Sequence, residues 1–189
     1  MDRHLPFLLP SAGRIMSDIL KTPRLSLRPL ETTDLGRLVA LANNWAIARM
    51  LTRMPFPYGR AEGEAFLTGV AADPDEGTLA IVHPEGLIGM IGLHRQAARR
   101  HELGYWLGEP YWGRGFITEA ARTLLGHAFA NWGPPYATAA DFEDNTASAR
   151  VLQKLGFRYS GLSERDCLAR GTKVESREMI LDRTDWTPE

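Results

Sequence analysis

The sequence predicts a single domain of mixed α/β structure. Apolar residues recur with a period of about two in some stretches and about 3.6 in others, Gly and Pro punctuate the boundaries, and one stretch reads strand, loop, helix, strand. A chain of 189 residues fits one domain and is tight for two. Folding at this size buries roughly 70% of the surface that the unfolded chain exposes, so a core can stand without a disulfide or a metal. The 44% hydrophobic content agrees.

Leu25 and Leu27 alternate with Arg24, Ser26 and Arg28, the pattern of a half-buried strand ended by Pro29. Thr32 or Thr33 can cap a helix whose apolar residues Leu35, Leu38, Val39 and Ala42 fall at i, i+3, i+4 and i+7. Residues 54–59 read as an irregular apolar loop and 62–71 as a second helix. Residues 79–83 and 87–93 form an expected hairpin about Pro84-Glu85-Gly86. An aromatic-rich strand over 101–107 leads through a glycine-bearing loop into an amphipathic helix with Ile117, Ala120, Ala121, Leu124, Leu125 and Ala128 on one face. With a strand over 136–142 this makes a β-loop-α-β unit, whose two strands should be parallel. A short helix over 146–155, capped by Asp144 or Asn145, ends at Gly156 and Phe157. Antiparallel strands are expected over 158–181, about Gly171-Thr172-Lys173.

The 22 Lys and Arg against 23 Asp and Glu give a net charge of −1, which offers no global field for nucleic acid or an anionic membrane. No apolar run approaches the roughly 18 residues of a membrane span. Cys167 stands alone, so an intramolecular disulfide and a cysteine zinc cluster are excluded and a reducing cytoplasm is the expected location; no metal is expected. Pro6 and Pro10 interrupt the only short apolar run near the start, against a signal peptide. Residues 1–15 are expected to be a dispensable extension before a natural start at Met16, and 16–189 a single domain.

The most informative segment is Tyr111-Trp112-Gly113-Arg114-Gly115-Phe116-Ile117-Thr118-Glu119-Ala120. Two glycines flank a base where a strand turns into a helix, so the backbone can approach a ligand closely while unpaired N–H groups face any anion placed there. It is neither a P-loop nor a dinucleotide fingerprint, and a tight turn with Gly for steric reasons is the plain alternative. In Asp144-Asn145-Thr146-Ala147-Ser148, Asn145 and Ser148 stand at i and i+3 of a helix start and can offer an amide and a hydroxyl to one ligand.

Together these segments resemble the GNAT acetyltransferases, and within them the branch of the ribosomal-protein N-terminal (alanine and serine) acetyltransferases. The resemblance runs from Thr22-Pro23-Arg24-Leu25-Ser26-Leu27-Arg28 through Glu102-Leu103-Gly104-Tyr105-Trp106-Leu107, Tyr111-Trp112-Gly113-Arg114-Gly115 and Asn145-Thr146-Ala147-Ser148 to Leu155-Gly156-Phe157. It implies an α+β fold whose central mixed, mostly antiparallel sheet of about seven strands is flanked by helices. A splayed parallel pair would form the acetyl-CoA cleft. Pantetheine would pair with the backbone of Tyr105, Trp106 and Leu107, and the pyrophosphate would take N–H bonds from Gly113, Arg114, Gly115, Phe116 and Ile117. Asn145 would bind the pantetheine arm, and Arg150 and Lys154 could reach the adenosine phosphate or simply be surface charges. Ile117 stands where the family often has Ala or Gly, so the approach of the helix to the cofactor is expected to be slightly altered. Leu152 stands where many members have the tyrosine acid; Ser148 occupies the position of the serine thought to replace it.

The implied reaction is direct attack of a neutral amine on the thioester in a ternary complex. Alignment of the two can supply roughly 7–11 kcal/mol, and a backbone N–H can stabilise the oxyanion. An α-amine at ~7.7–8.0 needs less help from a base than a lysine at ~10.4. Glu102 is the base candidate, directly or through water, or else a surface carboxylate; His101 and His127 are weaker candidates, and Cys167 lacks a visible partner base. The acceptor would lie over Trp45, Met50, Phe56, Tyr58 and Trp106. It is expected to be a protein N-terminal α-amine, with a small amine (polyamine, amino acid or aminoglycoside) or a non-catalytic acyl-CoA sensor as the alternatives. A homodimer is compatible with the family.

Overall fold

The computed structural model describes residues 19–72, 77–97 and 100–187. The expected extension over 1–15 and start at Met16 lie outside the described residues. Eight strands form one sheet: β1 (Leu20–Lys21), β2 (Ser26–Arg28), β3 (Thr78–His83), β4 (Gly86–Ala97), β5 (Arg100–Leu107), β6 (Tyr136–Phe142), β7 (Arg158–Cys167) and β8 (Thr172–Asp182), in the spatial order β1-β2-β3-β4-β5-β6-β8-β7. Every neighbouring pair is antiparallel except β5 and β6. The helices are α1 (Leu35–Ala42), α2 (Trp45–Ala48), α3 (Arg60–Ala72), α4 (Phe116–Asn131) and α5 (Thr146–Lys154).

The period-two pattern of β3 sorts the two faces of the sheet. Leu79 and Ile81 join the large core built with Ala120, Ala121, Leu124 and Leu125 of α4, whereas Ala80 and Val82 pack with Leu38 of α1 and Phe66 of α3. On β4 the alternation inverts at a bulge opposite Ile81 and Val82, so that Ile88 faces the α4 side and Met90 the α1 side. A Cβ on Gly89, beside that bulge, would fall 2.2 Å from the carbonyl oxygen of Trp106. Only glycine lets β4 and β5 approach so closely.

The parallel β5-α4-β6 unit is present as expected, and eight strands stand where about seven were implied. The differences lie in short elements. The two-residue β1 and four-residue α2 carry too few residues to show a period. Residues 168–171 make the last turn, so Thr172 and Lys173 already belong to β8. Neither Thr32 nor Thr33 caps the first helical segment. Glu31 does so, in a capping box with Asp34 at the third position, whose carboxylate accepts from the Glu31 N–H at 2.9 Å and from both terminal nitrogens of Arg28 at 2.7 and 2.9 Å.

That ion pair is mostly enclosed, the Asp34 side chain being 8% exposed. Burial alone would push its carboxyl up, but the Arg28 guanidinium and the Glu31 N–H outweigh burial and hold it below the ordinary carboxylate range. Its contribution to stability is therefore complete above its ordinary pKa of ~3.9 and fades as pH falls through the lowered value. Asp34→Asn should cost about 3 kcal/mol at neutral pH, because the mostly buried Arg28 is left with only the more distant Glu31 carboxylate at 3.7 Å. Urea unfolding should show that deficit, and the gap to the parent protein should narrow below pH ~4.

Candidate functional site

The parallel pairing of β5 and β6 begins at Arg100↔Tyr136 and stops at Leu103↔Ala139. Beyond that point each strand keeps its outer neighbour, β5 staying with β4 as far as Gly89↔Leu107 and β6 with β8 as far as Phe142↔Ser176. The sheet thus divides into two leaves, and no strand of the described residues lies beside the inner edge over residues 104–107. Among the described residues, the indole Nε1 of Trp112 covers part of it by donating to the Leu107 carbonyl at 2.8 Å. A cavity of about 130 Å³ lies in the gap, between Gly104 and Tyr105 on one wall and Ala140, Asp141, Asn145 and Ser148 on the other. A larger one, about 500 Å³, lies under α1 and α3 against Met90 and Trp106; both cavities touch Glu102, Gly104 and Tyr105.

At the far end of β5 the chain turns into α4 through Gly113 and Gly115, which adopt φ of +73° and +79°. These left-handed conformations favour glycine, and a Cβ on Gly113 would meet nothing within 4 Å, so the loop faces open space. Among the described residues, no acceptor takes the backbone N–H groups of residues 113–118. The loop is tied down from outside. Glu119 accepts from the Thr22 hydroxyl, the Arg24 N–H and Arg24 Nε, and Arg24 Nη1 donates to the Arg114 carbonyl at 3.0 Å. Burial works against the Glu119 anion, but these donors prevail and hold its carboxyl below the usual range. Ile117, whose bulk was expected to alter the approach to a cofactor, points into the core and is 9% exposed.

Asn145 caps α5 by accepting from the Ser148 N–H at 3.1 Å, which leaves its amide nitrogen for a ligand. Ser148 Oγ lies 2.9 Å from the Tyr105 hydroxyl across the gap. Burial pushes the Tyr105 phenol well above its ordinary range; the Ser148 bond pulls it back and the Asp141 charge raises it further. The Asp141 side chain is fully buried, with Oδ2 held by Arg177 and Oδ1 without a hydrogen-bond partner. Burial raises the Asp141 carboxyl in spite of Arg177. On the opposite face, Glu102 accepts two bonds from Arg165, at 2.6 and 3.1 Å, and Arg165 also binds Glu178. Burial disfavours the Arg165 charge, but the two carboxylates outweigh it and raise its pKa.

Most of the residues singled out in the sequence converge on this cleft: Glu102, Tyr105, Trp106, Asn145, Ser148, Met50 and Tyr58 line one or both cavities. Others do not. Arg150 and Lys154 are exposed on α5, and Trp45 stacks edge-on to Phe56 at the surface, with centroids 5.4 Å apart. His101 and His127 both pack against Trp132, away from the cavities, and Cys167 is buried with Sγ 3.6 Å from the Arg49 carbonyl. Sequence reasoning missed Arg165, Asp141, His94 and the hydroxyl of Tyr105. A lone acid in Tyr136-Ala137-Thr138-Ala139-Ala140-Asp141-Phe142 was a visible signal, whereas Arg165 sits in a polar strand that offers none.

Residues 24–158 match the family described as acetyltransferase (GNAT) domain. The chain is 28% identical over 177 residues to "Uncharacterized N-acetyltransferase YoaA" of Bacillus subtilis (strain 168), covering 85% of this chain and 94% of that protein. It is 27% identical over 157 residues to "Putative ribosomal N-acetyltransferase YdaF" of the same organism, covering 82% and 81%. Among solved structures it shares its fold with RimL, a ribosomal L7/L12 α-N-protein acetyltransferase in complex with coenzyme A, at a TM-score of 0.76 and 19% identity over 87% of this chain and 98% of that one. With the family matched across most of its length and the sheet split where a thioester could enter, this chain belongs to the GNAT acetyltransferases.

Proposed function

We propose that the protein transfers the acetyl group of acetyl-CoA to a primary amine, most readily a protein N-terminal α-amine, within the split between β5 and β6. The observation that carries this reading is the open inner edge of β5, followed in the chain by a loop whose N–H groups meet no acceptor among the described residues. The residues present fit the coenzyme. An extended pantetheine arm would satisfy the edge over residues 104–107, Asn145 would donate to it, and the N–H groups of Gly113, Arg114, Gly115, Phe116 and Ile117 would receive the diphosphate. Trp112 already donates to the Leu107 carbonyl and the Trp106 carbonyl turns towards Gly89 of β4, so the pairing falls mainly on Tyr105.

When bound, acetyl-CoA supplies an activated acyl carbon; the chain itself aligns, shields and stabilises. Ser148 stands where the departing sulfur would emerge. Glu102, held in place by two Arg165 bonds, orients the incoming amine and receives its proton through water. Met90, Trp106, Leu38 and Phe66 give the larger cavity apolar walls, and apart from the phenols of Tyr58 and Tyr105 its titratable lining is Arg53, His94 and Glu102. Such a wall suits an α-amine with an apolar first side chain better than a polyamine or aminoglycoside. The name of the relative YdaF points the same way, towards a protein N-terminus. The depth of the cavity also favours a second reading, a small amine with an apolar body.

Calorimetry with acetyl-CoA, followed by thiol release over a panel of N-terminal peptides and small amines, should give binding and then turnover with an apolar-headed α-amine. Binding without turnover on any acceptor would leave a sensor, and absence of binding would end the proposal. Gly113→Ala should raise the KM for acetyl-CoA about tenfold through a Cβ in the ligand's path, while costing only about 1 kcal/mol of stability for the left-handed backbone. Steady-state kinetics and a urea titration separate the two effects.

A further inference from the structure

We infer that the Tyr105 hydroxyl is a positioning group for thiolate departure: it donates to Ser148 Oγ and so turns the serine O–H towards the sulfur. The inference rests on the proposed location of acetyl-CoA in the split between β5 and β6.

The geometry comes first. Tyr105 shares the period-two face of Leu103 and Leu107, on the α4 and α5 side of the sheet, and its ring packs against the large core. Its hydroxyl crosses the gap to Ser148 Oγ at 2.9 Å, whereas the Ser148 carbonyl lies at a marginal 3.5 Å. Each hydroxyl has one proton to give. The phenol is the more acidic of the two and the better donor, so the favourable arrangement runs from Tyr105 to Ser148. It leaves the serine proton free to point into the cavity that Ser148 lines.

Asp141 decides what the pair can do. Its carboxylate lines the same cavity, fully buried, with one oxygen unpartnered. Burial first, and then this neighbouring charge, disfavour a phenolate at Tyr105, so the tyrosine keeps its proton. A thiol titrates near ~8.5, far below the buried phenol, and cannot draw that proton away. The pair therefore acts as a fixed hydrogen-bond donor and not as a proton source. As the amine nitrogen bonds to the acyl carbon, the C–S bond breaks with its electron pair on sulfur. The resulting thiolate accepts from Ser148 Oγ, the amine proton leaves through water beside Glu102, and solvent later protonates the sulfur. A preorganised donor aimed at charge that develops during the reaction is the kind of stabilisation that requires no reorganisation at that moment. It also accounts for a helix that carries Leu152 instead of a tyrosine: the phenol is supplied from β5.

The test uses the coenzyme alone, so it does not depend on knowing the acceptor. Calorimetry at pH ~9, where much of the free thiol is ionised, compares CoA with desulfo-CoA on the parent protein, Tyr105→Phe, Ser148→Ala and the double variant. The parent should prefer CoA, and either single substitution should reduce that preference about tenfold, the worth of one hydrogen bond to a charged group. The double variant should lose no more than Ser148→Ala alone, because Tyr105 acts through the serine. Full preference in Tyr105→Phe, no preference in the parent, or additive losses in the double variant would each overturn the inference. A parent that binds neither ligand would instead remove the proposed cofactor site itself. If Tyr105→Phe fails to fold, 3-fluorotyrosine at position 105 keeps the hydroxyl and strengthens its donation; the preference for CoA should hold or rise, and a fall would overturn the inference.

Discussion

A strand edge that ends its pairing early must find another partner for its backbone, and the site is organised around that constraint. β5 and β6 are zipped only to Leu103↔Ala139, yet both run on, each fastened to the neighbour on its other side. Unmet N–H and C=O groups inside a protein cost free energy comparable to a lost hydrogen bond, so an inner edge of this kind persists where water or a ligand meets it. Glycine at position 89 lets β5 lie close against β4 up to the end of the strand. Crossover through α4 then puts the turn at Gly113 and Gly115 at the mouth of the same gap. One interruption in a ladder thus produces both the slot and the anion-facing loop beside it.

The loop is held by contacts from a distant part of the chain. Arg24 and Thr22 precede Glu119 by more than ninety residues, and their bonds to it fasten the start of α4 to the edge of the first leaf. Because Glu119 lies in the first turn of the helix, its negative charge also meets the positive end of the helix dipole. The amides of residues 113–118 are therefore already ordered, and a bound anion would not need to organise them first.

Long periodic elements were legible in the sequence because one face of each had to be buried. The alternation in β3 and the helical stripe of α4 correspond directly to the two cores. Asn145 was legible as a cap for the same local reason: a short polar side chain ahead of an amphipathic run has few other uses. What could not be read was every contact made across the sheet. Tyr105 was visible as a strand residue, but that its hydroxyl would meet Ser148 depends on how far α5 leans over the gap. Glu102 was visible as a carboxylate in the cleft strand, but its pairing with Arg165, sixty-three residues away, depends on the curl of the second leaf. Thr32 and Thr33 satisfied a local capping rule, but the helical segment starts one residue earlier at Glu31, whose N–H is met by the Asp34 carboxylate that also binds Arg28.

The last hairpin gives the cleft its charge. β7 and β8 lie beyond β6, and their arginines reach back to two carboxylates that line the gap and one beside it: Arg165 binds Glu102, Arg177 binds Asp141, and Arg170, in the turn between the strands, binds Asp144 together with Arg49, next to the lining residue Asn145. Arg165 belongs to a strand three places from β5 in the sheet, and three strand spacings of about 4.8 Å exceed what the two side chains comfortably span. The second leaf must therefore curl over the cleft for this contact to form. Without these arginines the gap would be ringed by uncompensated carboxylates, a poor environment for a coenzyme carrying several phosphate charges. With them the acids remain as oriented acceptors while their repulsion is largely cancelled. The hairpin thus gives one leaf a structural role and the cleft an electrostatic one, and the two cannot be altered separately.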